Sequence, residues 1–350
     1  MSVAAWFFAA ARKPAPSDLG GALVPTLTEP VGSPSTAYVE PPYSTEAIEA
    51  AAGEAFKRAF GVARFDYQIL GEHAQVLERI GHDAEAAVQG REYFPRRPML
   101  LPKLMRALND PECPRDELVK LILEDASLAG SVLKQANSAY YRVSPARVDN
   151  LDLAVRLLGT EGLKRLMATA ITQPVFLIPK GYFDSFAPLT WELAQRAAAA
   201  AEAYAKTDPE CDPFIVQLLA IMEPLARIML FRLTMDKYRG MPNVLPRAEV
   251  FIRALQRHAA PLAVSIGAAW ELTDASLDAL REQAEHRSPA HMRNMGRAVY
   301  FASLAGMLAL VESRRQEPGE SLRALLVGQG LDEEHAARVW QAALTCHEAR

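Results

Sequence analysis

The side chains that could bind a catalytic metal in this chain are its histidines and their acidic neighbours. The seven histidines are His73, His82, His258, His286, His291, His335 and His347. No two of them stand four residues apart on a helix, the spacing that lets two imidazoles bind one zinc ion. His82 and Asp83 are adjacent, as metal ligands can be, but His73 would lie on the opposite face of a single helix. We interpret His82 and Asp83 as solvated polar residues, and we predict no bound metal or cofactor.

Nucleophile and phosphate-binding motifs are also missing from the sequence. There is no G-x-S-x-G, no G-x-x-x-x-G-K-[ST] and no G-x-G-x-x-G. The net charge of −4 is not the electrostatic footprint of a nucleic-acid binder. Cys113, Cys211 and Cys346 are widely separated and odd in number, which favours a reducing compartment, and hence the cytoplasm, over a disulfide framework.

A polar and aromatic cluster follows a clear helical repeat between Ile122 and Val143. There the apolar period stops at Asn137-Ser138, and Tyr140-Tyr141 follow. In the structural interpretation Asn137 ends the helix, because Asn tolerates the left-handed conformation, and Ser138 bonds the turn backbone. In the functional interpretation the same four residues present an aromatic recognition edge. The structural interpretation is the one we favour.

The elements that must position these residues are helices from Thr45 onward, so we predict an all-α protein. Helices are expected to break near Gly61 and Gly159, and Thr190 is expected to open an alanine-rich helix suited to close packing. The stretch Pro213–Leu233 is apolar on nearly every side and predicts the central buried helix, interrupted at Glu223-Pro224. Its interior polar residues argue against a membrane span.

The first 44 residues differ in composition from the rest. They are rich in proline and have few periodic apolar positions, which predicts a disordered tail over residues 1–44. Trp6, Phe7 and Phe8 stand in a short apolar run whose positive charges follow it, unlike a secretory signal. An alternative is that these three aromatic residues form a short helix that docks on a partner or a membrane surface.

Residues 101–176 resemble the HDOD domain, a bacterial signalling module related to the HD-type metal phosphohydrolases. The resemblance lies in LPKLMRALNDP, ELVKLILEDASLAGSVLKQANSAYY and AVRLLGTEGLKRLMATA, which agree in order and spacing, and it continues more weakly to about His286. It implies an HD-domain-like multi-helix bundle. We expect an N-terminal helical extension over residues 45–94, the HDOD domain over 95–290, and C-terminal helices over 291–350 that pack on it.

The departures from the resemblance bear on chemistry. HD-type enzymes hold metal with a His-Asp pair in a central helix, and the resemblance places Glu223-Pro224 there. Leu193 and Ala194 stand where a histidine often follows the Trp191 position. Glu285-His286 stand where a histidine pair often ends the domain. One surviving imidazole does not make a catalytic metal centre, which takes about three protein ligands. The chain is therefore expected not to be an enzyme.

Three functions remain open at this stage. The first is a non-catalytic regulatory protein, a helical platform that binds a signalling protein. The second is a sensor that binds a nucleotide or metabolite in a vestigial pocket near Glu223, and the third is a divergent metal-dependent phosphohydrolase. Glu223 is expected to pair with Arg227 at i+4 or to point into a polar remnant of the metal cavity. The candidate pocket or interaction residues are Glu223, Arg227, Asn137, Ser138, Tyr140, Tyr141 and His286.

Overall fold

The computed structural model of the chain describes residues 45–66, 68–89, 101–110, 112–124, 126–138, 141, 147–170, 181–241, 243–315 and 321–346. Thirteen α-helices and one short 3-10 helix, with no β-strand, occupy these ranges, which confirms the all-α prediction. The predictions for the tail 1–44, for Trp6, Phe7 and Phe8 and for Tyr140 lie outside the described residues.

The described helices follow one another along the chain in a simple order. They are α1 (Thr45–Phe60), α2 (Glu72–Gln89), α3 (Leu101–Asn109), α4 (Arg115–Leu123), α5 (Ala126–Ala136), α6 (Leu151–Ala170), α7 (Phe186–Ala205), α8 (Pro213–Arg239), α9 (Ala248–Ala269), α10 (Asp274–Ala284), the 3-10 helix (Pro289–His291), α11 (Asn294–Glu312), α12 (Ala324–Gly328) and α13 (Glu333–Thr345).

Helix α7 is the centre of the bundle, and it packs against α8, α11 and α13. Its alanines permit this, because small side chains let the axes of neighbouring helices come close. At the crossing with α11, a Cβ added to Gly306 would lie 2.7 Å from the backbone nitrogen of Ala197. The alanine-rich face therefore packs as closely as the sequence predicted, and Gly306 is the residue of α11 that makes the approach possible.

Helix α8 is the longest helix of the described chain and is largely buried. It begins at Pro213, and the Asp212 carboxylate accepts hydrogen bonds from the N–H groups of Phe214 at 2.8 Å and Ile215 at 3.2 Å. The predicted interruption at Glu223-Pro224 is wrong, since the helix runs unbroken through Pro224 to Arg239. Packing on both sides holds the helix together although Pro224 cannot donate to the carbonyl of Ala220.

Two other helix boundaries were predicted at Gly159 and Thr190. Gly159 has φ 65° and ψ 177° and kinks α6, as expected for the end of one helix and the start of another. Thr190 does not open α7, which begins four residues earlier at Phe186. Its hydroxyl instead donates to the Phe186 carbonyl at 2.7 Å inside the helix, a bond that a threonine can make without capping.

The C-terminal helices pack on the same core as the rest of the protein. Arg196 of α7 is buried and donates to the carbonyls of Ala343 at 2.8 Å and Leu344 at 3.2 Å, near the end of α13. It also donates to Glu192 at 2.9 Å, which in turn accepts from Arg314 at 2.8 Å. One buried ion network thus joins α7, the residues after α11 and the end of α13.

The apolar composition of α8 and α11 has an evident use in the core. Both helices are long and apolar enough to cross a membrane by length and composition. However, 89% of the apolar window of α8 and 78% of that of α11 is buried against other parts of the protein. Their apolar faces are therefore covered by neighbouring helices.

Candidate functional site

Glu223 and Arg227 form an ion pair on one face of α8. Arg227 donates to Glu223 Oε1 from Nη2 at 2.7 Å and from Nε at 3.2 Å. Only 8% of the Arg227 side chain and 21% of the Glu223 side chain is exposed. The guanidinium also lies over the ring of Phe56, 5.8 Å from its centre, so the pair links α8 to α1. The predicted i+4 pairing is confirmed.

His286 lies where α10 ends, and its backbone is left-handed with φ 55°. The N–H of His286 donates to the carbonyl of Gln283, and the N–H of Arg287 donates to that of Glu282. This is a Schellman motif with histidine in the position that usually holds glycine. Burial lowers the pKa of His286, and the negative charge of Glu223 opposes that shift in part. The structure therefore brings the Glu223 carboxylate and the His286 ring into one neighbourhood.

The donor set around Glu223 does not fit a catalytic metal. The Arg227 guanidinium occupies the nearer carboxylate oxygen, and its positive charge opposes a cation at the same place. The side chain of Pro224 has no ligating atom. Within the described ranges, no group of three or more His, Cys, Asp or Glu side chains is arranged to hold a metal ion. The cavity beside Arg227 has about 30 Å³, room for a water molecule or two and no more.

Asn137 acts as a clamp between two segments of backbone. Its amide nitrogen donates to the carbonyls of Leu133 at 2.8 Å and Val148 at 2.7 Å, and its oxygen accepts from the N–H of Val148 at 2.8 Å. Asn137 does end the helix, as predicted. The predicted reason is wrong, because Asn137 is not among the described residues with positive φ. It ends α5 with its side chain and fastens the approach to α6.

The remaining residues of this cluster continue the same turn. The N–H of Ser138 donates to the Gln135 carbonyl, and the N–H of Tyr141 donates to the Ser138 carbonyl. The Ser138 hydroxyl is buried and has no hydrogen-bond partner among the described residues, so the prediction that it bonds the turn backbone is wrong. The Tyr141 hydroxyl lies against Gly162 of α6, 3.1 Å from where a Cβ would stand. Asn137, Ser138 and Tyr141 thus form a cluster of their own, and no described hydrogen bond or ion pair joins it to Glu223.

A cavity of about 690 Å³ is the feature that sequence reasoning missed. It lies between α5, α6, α7, α8 and α13, and Tyr141 and Gly162 form part of its wall. The sequence did contain an indication of this cavity, since Gln195, Glu202 and Lys206 interrupt the alanines at helical spacing along α7 and its C-cap. Polar residues in this pattern also occur on a solvent-exposed helix face, and only the positions of the neighbouring helices distinguish the two cases.

The other residues considered for metal binding have structural partners. His82 is exposed, and Asp83 forms an ion pair with Lys237 that lowers the pKa of the Asp83 carboxyl. His73 Nδ1 lies 2.8 Å from the hydroxyl of Tyr238. Leu193 and Ala194 are buried apolar residues of α7. His82 is thus solvated as predicted, whereas Asp83 is half-buried and is held by Lys237 rather than by solvent alone.

Comparison with known proteins identifies the family. The HDOD domain matches residues 94–286, more than half of the chain, and this protein therefore belongs to the HDOD domain family. No curated protein sequence matches the chain.

Solved structures share the fold at low sequence identity. An HDOD domain protein of Geobacter sulfurreducens with unknown function is 20% identical, with a TM-score of 0.53 over 77% of this chain and 89% of that one. A Shewanella amazonensis SB2B protein, whose name suggests without establishing a metal-dependent phosphohydrolase, is 15% identical, with a TM-score of 0.52 over 79% of this chain and 99% of that one. A Marinobacter aquaeolei VT8 protein, whose name suggests signal transduction, is 20% identical, with a TM-score of 0.49 over 81% and 66%. The first two likenesses establish the HD-like helical fold and nothing about activity.

Proposed function

We propose that this protein is a non-catalytic signalling protein, whose HDOD domain binds another signalling protein and changes its activity. The observation that carries the proposal is the Glu223–Arg227 ion pair with Pro224 beside it. The resemblance assigns this position to the His-Asp metal ligands of HD-type enzymes. Here a buried guanidinium takes the place of a metal ion as the partner of the carboxylate.

The energetics of the pair support this role. Two hydrogen bonds from Arg227 reach one Glu223 oxygen, and the arginine is almost fully buried. Releasing Glu223 for a metal would leave the guanidinium buried without its partner, which costs several kcal/mol. His286 would remain as a single imidazole near Glu223, short of the roughly three protein ligands of a catalytic centre.

A binding role requires an accessible surface, and exposed leucines offer one. Leu70 is 72% exposed and Leu245 is 67% exposed. The segments that carry them are joined by Arg247, which donates to the backbone carbonyls of Asp66 and Gln68 at 3.3 Å. These two hydrogen bonds place the exposed leucines on adjoining segments, and an exposed apolar patch is typical of protein-binding surfaces. We assign partner binding to this surface, and a contribution from Trp6, Phe7 and Phe8 is tested separately.

The first experiment addresses catalysis. Purified full-length protein is incubated with Mn²⁺ or Mg²⁺ and a chromogenic phosphodiester or phosphomonoester. We expect no metal-dependent hydrolysis above that of a Glu223→Gln, His286→Gln double variant. Hydrolysis that requires metal and disappears in the double variant would overturn the proposal in favour of a divergent phosphohydrolase.

The second experiment addresses partner binding. Full-length protein, a version without residues 1–44, and a Leu70→Asp, Leu245→Asp double variant are used as baits in native lysate, with mass-spectrometric identification. A captured signalling protein is then purified, and its own activity is measured with and without this chain. We expect binding and an activity change that the double variant loses.

The matched control is Leu153→Asp, since Leu153 is also exposed but lies on α6. This control is expected to bind normally. Loss of binding on removal of residues 1–44 alone would move the docking site to the tail. If no bait changes the activity of any captured protein, the signalling role is wrong.

A further inference from the structure

The cavity of about 690 Å³ between α7 and α13 has the size of a small-molecule site. One face of α7 and its C-cap residue supply the floor, with Gln195, Ala198, Ala199, Glu202, Ala203 and Lys206 following each other at helical spacing. Helix α13 closes the opposite side with Arg338, Ala342 and Thr345. The alanines provide a flat apolar surface of the kind on which a planar ring can lie.

Three side-chain amides line this cavity. Gln217 of α8 is only 2% exposed and is one of the lining residues. Gln135 and Gln195 are half-buried and line the same space. An amide in a cavity wall presents a donor and an acceptor to whatever fills the cavity, so a ligand with complementary groups can pair with it.

Charged groups stand beside the amides. Lys206 is exposed and donates to the buried carboxylate of Glu202 at 2.7 Å. Arg338 is exposed and pairs with Glu334. The cavity therefore has one buried and two half-buried neutral amides and two accessible cations among its lining residues.

We propose that this cavity binds a mononucleotide. A glutamine amide places a donor beside an acceptor, the pattern that the edge of a nucleobase complements. The base lies on the alanine floor and bonds Gln217 and Gln195, Glu202 accepts from a ribose hydroxyl, and the phosphate faces Lys206 and Arg338. The site is distinct from Glu223 and requires no metal. The inference does not depend on the signalling role, because a nucleotide could bind whether or not a partner does.

The test measures binding to the full chain by calorimetry and by the shift in melting temperature. The probes are AMP, GMP, CMP and UMP, each with its nucleoside, and inorganic phosphate. We expect at least one nucleotide to bind, its nucleoside to bind more weakly, and phosphate alone to give no shift. Gln217→Leu is expected to weaken nucleotide binding about tenfold or more, since one good amide–base pair is worth that much.

The control is Gln256→Leu, because Gln256 is also buried but lies on α9 and does not line the cavity. It should bind the nucleotide as the parent protein does. If Gln217→Leu fails to fold, Ala199→Phe tests the same point by filling the cavity, and it should abolish binding. The inference is overturned if none of the four nucleotides binds at millimolar concentration, if phosphate alone binds as tightly, or if both cavity variants bind normally.

Discussion

The side chain of Asn137 shows how one residue can hold two segments together. A primary amide offers a donor and an acceptor in the same plane, and here both are used on the backbone of Val148. The second donor hydrogen reaches the last turn of α5 at Leu133. The Asn-Ser-x-Tyr pattern is thus explained by architecture at its first residue.

Asn137→Ala is expected to lower the free energy of unfolding by about 2 to 3 kcal/mol, because it leaves partly buried backbone groups of Val148 without partners. The amide of Val148 should also exchange faster with solvent. Urea denaturation and hydrogen exchange measure the two effects. Asn243→Ala serves as the control, since Asn243 is exposed and its removal should cost no more than about 0.5 kcal/mol. Equal effects in the two variants would contradict the clamp.

The Glu223–Arg227 pair can be measured by a double-mutant cycle. Arg227→Leu is expected to destabilise the protein by about 2 to 3 kcal/mol, because the largely buried Glu223 loses its partner and Phe56 loses its cation. The double variant Glu223→Leu, Arg227→Leu is expected to lie within about 1 kcal/mol of the parent protein, since an apolar pair suits this apolar site. The cycle is completed by the single variant Glu223→Leu. If the destabilisations of Glu223→Leu and Arg227→Leu add up to that of the double variant, the two charges are not coupled.

At the scale of the residue, the sequence predicted a side chain's partner correctly when that partner is close in sequence. Arg227 stands one helical turn from Glu223, so the pairing could be predicted from spacing alone. Asn137 could be placed at a helix end, but its bond to Val148 depends on a distant loop. Gln217 could not be interpreted, because only the positions of α7 and α13 reveal that its amide faces a cavity.

At the scale of the element, the crossing of α7 and α11 depends on a glycine. Gly306→Ala is expected to destabilise the protein by about 1 to 3 kcal/mol, since the new methyl group would meet the backbone of Ala197. Gly53→Ala is the matched control in α1, where a Cβ would meet nothing within 4 Å. It is expected to stabilise by about 0.5 to 1 kcal/mol through helix propensity. Thermal and urea denaturation of both variants measure whether close packing or helix propensity dominates the effect of each glycine. A Gly306→Ala variant more stable than the parent protein would contradict the close approach of α7 and α11.

Helix ends proved harder to predict than helix interiors. The apolar periodicity predicted helices from Thr45 onward, but α7 begins before Thr190. Glu271 and His286 end α9 and α10 in the left-handed conformation, which a sequence without glycine at those positions does not announce. Helix α8 continues through Pro224 because its neighbours cover it, and that is a tertiary effect.

At the scale of the whole molecule, two histidines make stability depend on pH. Burial lowers the pKa of His286, against a partial opposing effect of Glu223, and burial together with Arg247 lowers that of His73. A lowered pKa means that the unfolded chain binds more protons than the folded one. The stabilising contribution of the neutral rings is therefore complete above about pH 6.5 and is lost as the pH falls through the folded pKa values.

We expect the free energy of unfolding to fall between pH 7.5 and pH 5.5, and to fall less in a His73→Gln, His286→Gln double variant. Urea denaturation at three pH values measures both slopes. His82→Gln is the control, because His82 is exposed. A parent protein with equal stability at the two pH values would contradict the assignment.

The buried ion network also has a consequence for how the chain is made. Glu192 and Arg314 are 122 residues apart in sequence, and Arg196 reaches carbonyls 147 and 148 residues further along. At a synthesis rate of about 5 to 20 residues per second, α7 leaves the ribosome on the order of ten seconds before these partners exist. During that interval its alanine face and its charges stay exposed. Nascent chains stalled before residue 294 are therefore expected to bind chaperones, and release should follow once α11 and α13 have emerged.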